Sequence, residues 1–187
     1  QKYDSATFYS ISNCQEGLSR VTLGNFLIKR VVFEIQEELP NIKHFGTLSP
    51  IPGFRDWFSY LEDGKIKNIL GDTPIENISF LKSPDLKVGD PRIVSNKVSI
   101  TKLVAHYLMN EKNNKQLPIN DVCRFHLGNG AIIDDIIINA NVSEVGLNRS
   151  FGVMVNYLYE LKNIEKNHEE YINNKTIIVS DKLKKII

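Results

Sequence analysis

Two periods of apolar residues, one near two and one near 3.6, take turns along this chain. Residues 6–12, Ala-Thr-Phe-Tyr-Ser-Ile-Ser, are β-branched and aromatic and predict a strand. A polar loop over residues 13–20 follows. Leu23, Phe26, Leu27, Val31, Ile35 and Leu39 then recur at helical spacing and predict a helix over roughly 24–39, ended by Pro40. His44 to Ser49 reads as a short strand closed by Pro50 and Pro52, and Gly53 to Leu61 as a short helix carrying the single Trp, Trp57. Residues 63–97 are rich in Gly and Pro and predict an irregular surface excursion with a short helix near 75–81. Ile100, Leu103, Val104, Tyr107 and Leu108 mark a helix over about 98–111. Pro118 to Leu127 suits a helix capped by Asn120 or Asp121. Residues 132–140 and 151–159 read as strands, and the charged tail over 163–187 as one or two helical pieces. Strands alternating with helices place the chain in the α/β or α+β class.

Composition narrows the functional classes. At 187 residues the chain suits one sizeable domain with its own core. Hydrophobic residues at 42% and charged residues at 24% are ordinary globular usage. A net charge of +1 argues against a broad nucleic-acid surface. No apolar run approaches the length of a membrane span, and the N-terminus lacks a signal-peptide pattern. Cys14 and Cys123 stand far apart, which predicts free thiols rather than a disulfide framework. Asn is about a tenth of the chain, so its Asn-x-Ser/Thr triplets arise readily by chance and carry little weight for glycosylation.

Three segments hold candidate chemistry. The first is the strand–loop–helix unit around Ser19-Arg20-Val21-Thr22-Leu23-Gly24-Asn25, whose free helix-start amides suit a pyrophosphate. Most glycine-led helix starts bind nothing, and the spacing is neither a Walker loop nor Gly-x-Gly-x-x-Gly. The second is Thr47-Leu-Ser-Pro-Ile-Pro-Gly, which sets Ser49 at the end of a strand, where α/β folds place ligand contacts. A local turn bond is the commoner use of such a serine. The third is Arg124-Phe-His126-Leu-Gly-Asn-Gly. A lone His is more often a core or surface residue than a catalyst, and His44, His106 and His168 show no metal-ligand spacing with His126. On the residues alone, Ser49 and His126 are candidates to meet in one site.

The blocks Phe8 to Leu18 with Gly24 to Val32, Thr47 to Phe54, Arg124 to Ala131, Val153 to Glu160 and Glu165 to Tyr171 resemble malonyl-CoA decarboxylase, in its bacterial rather than vertebrate character. They occur in family order and cover most of the chain. The resemblance implies a mixed sheet flanked by helices, related to the Gcn5-type N-acetyltransferase fold and lacking its N-terminal strands and a helical N-terminal domain. It implies conversion of malonyl-CoA to acetyl-CoA and CO2 without metal or organic cofactor, coenzyme A being part of the substrate. By this match Ser49, His126 and Tyr159 are the catalytic residues, and residues 19–25 hold malonyl-CoA, with Arg20 and Lys29 as phosphate partners. Thr22 stands where vertebrate-type members carry glutamate, so a Glu-based role is not carried over. Ser49 is expected to bond the malonyl carboxylate or thioester oxygen. His126 is expected to donate the proton with an ordinary pKa near 6.5. A homo-oligomer is expected, in the cytoplasm of a bacterium or the mitochondrial matrix of a eukaryote. The rival readings are a coenzyme A-dependent acyltransferase of the same fold and a non-catalytic coenzyme A-binding protein. An unpaired sheet edge is expected beside residues 6–12.

Overall fold

The computed structural model describes residues 3–9 and 24–187, with backbone alone for residues 24–27. In chain order the elements are β1 (Ser5–Phe8), α1 (Gly24–Glu38), β2 (His44–Thr47), β3 (Ser49–Pro50), α2 (Phe54–Ser59) and α3 (Asp63–Leu70). Two 3-10 turns follow, Ile75–Asn77 and Ser79–Lys82, then α4 (Pro91–Ser95), α5 (Lys97–Met109) and α6 (Asp121–Gly128). The chain ends with β4 (Ile132–Ile137), α7 (Glu144–Ser150), β5 (Met154–Leu158), α8 (Ile164–Asn174) and α9 (Asp181–Lys184).

The strands form one mixed sheet flanked by helices. β5 lies at its centre, with β4 antiparallel on one side and β2 and β3 antiparallel on the other. Gly46 faces Leu158, Ser49 faces Val155 and Pro50 faces Met154, so β2 and β3 keep one register and act as one strand interrupted at Leu48. β1 pairs with β2 in parallel, from Ser5 opposite His44 to Phe8 opposite Thr47. Among the described residues no strand pairs with the other edge of β1. The outer edge of β4 is covered instead. Ile133 donates to the Ile178 carbonyl and accepts from Ser180 N, each at 3.0 Å.

Side chains alternate across a strand, so register decides which residues share a face. Phe45, Thr47 and Ser49 share one face with Val155 and Tyr157, and all five are buried. Gly46, Met154, Asn156 and Leu158 share the other face and are partly exposed. The buried face receives α6, whose His126 ring stacks on Tyr157, and α1 packs against α6. The core continues through Ile100, Leu103, Val104 and Leu108 of α5, all buried.

Several expected elements shift or change type. The helix expected over 24–39 ends at Glu38, and the strand expected over 6–12 is Ser5–Phe8, its remainder past residue 9 lying outside the described residues. The stretch 63–97 is far more regular than expected, because α3 and α4 occupy it. Gly64 sits inside the first turn of α3, where its turn propensity is overridden by burial of Ile66 and Leu70. Asp90 caps α4 by accepting from Arg92 N, with Pro91 in the first turn. α7 has no counterpart in the sequence reading. It begins with Ser143, whose hydroxyl accepts from Gly146 N.

Candidate active site

Segments far apart in sequence converge on one buried cluster. Thr47 and Ser49 project from the interrupted strand β2–β3, His126 from the last turn of α6, and Tyr159 from the position after β5. Their exposures are 2%, 5%, 5% and 1% in that order. Ser49 Oγ lies 2.9 Å from His126 Nε2 and 2.9 Å from Thr47 Oγ1. The Tyr159 hydroxyl lies 2.8 Å from His126 Nδ1. The four side chains therefore form one line of hydrogen bonds: Thr47, Ser49, His126, Tyr159.

Both ends of α6 are braced, which fixes His126 relative to Ser49. At its start, Asn120 accepts from Cys123 N at 2.8 Å, closing the N-cap. The same side chain donates from Nδ2 to the Pro52 carbonyl at 2.9 Å, which ties the helix to the turn following Ser49. The Tyr107 hydroxyl donates to the same carbonyl at 3.0 Å. At its end, His168 Nδ1 donates to the Gly128 carbonyl at 2.6 Å and Asn167 Nδ2 to the Gly130 carbonyl at 3.2 Å. Gly130 has a φ of +81°, and a Cβ there would collide with the Ile164 carbonyl. α8 can pack against this turn only because the residue is glycine. Beneath the imidazole, the Tyr157 ring stacks at 4.4 Å between centroids and 21° between planes.

Electrostatics set the protonation state. Burial pushes the His126 pKa down to about 3, because an imidazolium loses hydration in this pocket. The expectation of an ordinary pKa near 6.5 is thereby corrected. His126 is a neutral imidazole across the physiological range. Burial raises the Tyr159 phenol far above its usual range, so it keeps its proton. The one described hydrogen-bond partner of that phenol is Nδ1. A buried O–H donates where it has an acceptor, so Tyr159 donates to Nδ1 and the ring proton resides on Nε2. This tautomer is assigned from the hydrogen-bond network. Nε2–H then donates to Ser49 Oγ, and the Ser49 hydroxyl donates to Thr47 Oγ1. The line carries a directed set of donors with no ionised member.

A family model for the malonyl-CoA decarboxylase C-terminal domain matches residues 1–187. The chain belongs to the malonyl-CoA decarboxylase family. It is 37% identical over 201 residues to the mitochondrial malonyl-CoA decarboxylase of Anser anser anser, an alignment covering 98% of this chain and 40% of that protein. The Rattus norvegicus enzyme is 36% identical, with 98% and 41% covered. The crystal structure of malonyl-CoA decarboxylase from Rhodopseudomonas palustris superposes with a TM-score of 0.85 at 39% identity, covering 97% of this chain and 42% of that one. The Agrobacterium vitis enzyme gives 0.85 at 37% identity, with 97% and 45% covered. The chain thus spans about two fifths of the length of the curated relatives it matches.

Within this family frame, the structure brings Ser49, His126 and Tyr159 together. Ser19, Arg20, Val21, Thr22 and Leu23 lie outside the described residues, while Gly24 and Asn25 open the backbone of α1. Lys29 Nζ pairs with Glu165 at 3.3 Å. The groove of about 680 Å3 beside it is lined by both signs of charge, Lys29 and Arg30 with Glu34, Glu37 and Glu165. Two residues of the cluster escaped the sequence reading, Thr47 and Tyr157. Alternation held the signal for Thr47, because a residue two before Ser49 on one strand shares its face. Tyr157 required the pairing of β5 with β2, which no local pattern discloses. Among the described residues no group of three or more His, Cys, Asp or Glu is placed to hold a metal ion. No described helix is long and apolar enough to cross a membrane. Cys123 is buried as a free thiol, and Cys14 lies outside the described residues.

Proposed function

We propose that the protein carrying this chain decarboxylates malonyl-CoA to acetyl-CoA and CO2, with Ser49, His126 and Tyr159 as its acid-donating line. The observation that carries the reading is the line of contacts around a buried histidine, Tyr159 Oη to Nδ1 at 2.8 Å and Ser49 Oγ to Nε2 at 2.9 Å. Family membership supports the reaction class. In the reaction the bond between the malonyl carboxylate carbon and the α-carbon breaks. Its electron pair passes into an enolate whose charge rests on the thioester oxygen. At rest Nε2–H donates to Ser49 Oγ and the Ser49 hydroxyl to Thr47 Oγ1. With substrate bound, both donors would leave these acceptors for the thioester oxygen as charge develops, an effect strengthened by exclusion of water.

The α-carbon then takes a proton. A neutral imidazole can deliver its Nε2 proton only if Nδ1 gains one in the same event, and Tyr159 is placed to supply it. A thioester enolate is a stronger base than a phenolate, so transfer runs toward acetyl-CoA even though burial raises the Tyr159 pKa. The phenolate regains its proton from solvent. The net reaction consumes one proton per CO2 released.

We further propose that residues 19–25 take the coenzyme A pyrophosphate on helix-start amides. The sheet is read as a relative of the Gcn5-type N-acetyltransferase fold, a reading supported by the parallel β1–α1–β2 unit. The 2.9 Å pair of Ser49 and His126 also suits a second reading, acyl transfer through a serine nucleophile. Products decide between them. Purified full-length protein is incubated with malonyl-CoA without acceptor, and CO2 and acetyl-CoA are quantified. Equal amounts of both are expected, falling by about a hundredfold or more in Ser49→Ala and His126→Ala. Free thiol released only when an acceptor is added, or near-wild-type turnover in His126→Ala, would overturn the assignment.

A further inference from the structure

We propose that Thr47 is a positioning residue of this site, holding the Ser49 hydroxyl away from the His126 ring so that Nε2 keeps its proton. This rests on the reading of Ser49 and His126 as a donor pair.

The backbone pattern shows that Thr47 occupies a built position. Tyr159 N donates to the Phe45 carbonyl at 2.8 Å, which makes 45 and 159 a hydrogen-bonded pair of an antiparallel ladder. Such pairs recur every second residue, so Tyr157 N is due to bond the Thr47 carbonyl. It bonds the Thr47 side chain instead, at 3.2 Å to Oγ1. The hydroxyl stands in for a ladder carbonyl at the point where β2 breaks before Ser49.

That substitution fixes the rotor. An oxygen anchored by a backbone N–H cannot swing freely, and its second lone pair faces Ser49 Oγ at 2.9 Å. Ser49 has two possible acceptors for its one proton, Thr47 Oγ1 and His126 Nε2. Tyr159 occupies Nδ1 and leaves a proton on Nε2, which closes the second choice. Thr47 supplies the acceptor for the Ser49 proton in this arrangement. Without it the Ser49 proton has no buried acceptor except Nε2, and the ring must then shift its own proton to Nδ1 against Tyr159. The line would reverse toward the arrangement of a serine nucleophile.

The test uses full-length wild type, Thr47→Val and Thr47→Ser, with 15N-labelled histidine. Thr47→Val keeps the β-branched shape and removes the hydroxyl. It is expected to lower kcat for malonyl-CoA by about tenfold to a hundredfold with KM changed less than about threefold. Thr47→Ser is expected to stay within about threefold of wild type. The ring nitrogen shifts of His126 are expected to report Nε2–H in wild type and Thr47→Ser, with Nδ1–H gaining population in Thr47→Val. Turnover of Thr47→Val close to wild type, with its His126 tautomer unchanged, would overturn the proposal. Should Thr47→Val not fold, wild type decides alone: an Nδ1–H ring would mean that Ser49 donates to His126 and that Thr47 does not set its direction. Failure of wild type to release CO2 would refute the proposed reaction, whereas the tautomer tests Thr47 independently.

Discussion

His126 offers a direct measure of how dry the candidate site is. Burial holds its folded-state pKa at about 3, whereas an unfolded chain presents an imidazole near 6.5. Between those values the unfolded chain binds a proton that the folded chain does not. Stability from this source is therefore complete above the unfolded pKa and is lost as pH falls below it. At pH 7 the linkage is close to zero. At pH 5 nearly every unfolded chain carries the extra proton, over a span of roughly 1.5 pH units worth about 1.4 kcal/mol each, or about 2 kcal/mol. His126→Gln keeps a polar side chain of similar reach and removes the titration. Urea unfolding of both proteins at pH 7 and pH 5 isolates the effect, because every other ionisable group, including the partly buried His106, is common to both. The stability of wild type relative to the variant is expected to drop by about 2 kcal/mol between pH 7 and pH 5. A relative stability that stays constant to within about 0.5 kcal/mol would mean that the ring titrates normally, and the argument for a neutral donor would fall with it.

Two further outcomes follow from the same geometry. Tyr159→Phe removes the donor to Nδ1 while keeping the ring, so kcat on malonyl-CoA is expected to fall by about a hundredfold with little change in KM, measured by CO2 release. Gly130→Ala forces an L side chain into a positive φ and against the Ile164 carbonyl, and urea unfolding is expected to register a loss of roughly 2 kcal/mol or more.

What the sequence disclosed, and what it did not, divides along the range of the forces involved. α1 and α5 were legible as helices because periodic apolar positions report a local geometry. In α5 the predicted residues Ile100, Leu103, Val104, Tyr107 and Leu108 are all buried, whereas in α1 the described buried residues are Ile28 and Val32, and Leu39 of the predicted stripe is exposed. α6 was legible from its cap, and Asn120 is the residue that closes it. α4 and α7 carried comparable caps, Asp90 and Ser143, but their helices are five and seven residues long and too short to show a period. The broken strand β2–β3 was placed but not its break, since the Thr47 hydroxyl replaces a carbonyl only when β5 lies alongside. Ser49 and His126 stand 77 residues apart; the residues alone made them candidates to meet, and the family resemblance gave them their roles in one site.

The protonation state was the least legible feature, because it is a property of the assembled pocket rather than of any residue. An imidazole acquires a pKa of about 3 only after α6 has laid it on Tyr157 and the sheet has closed over it. The order of proton donors follows from that burial. A charged His126 would carry a proton on both ring nitrogens and would not need Tyr159 to hold its tautomer. A neutral one does need it, and the same reasoning then assigns Thr47 its place at the far end of the line. The dryness of the pocket therefore turns four ordinary polar side chains into a donor chain with a direction. In the proposed decarboxylation that direction serves an enolate awaiting both a hydrogen bond and a proton.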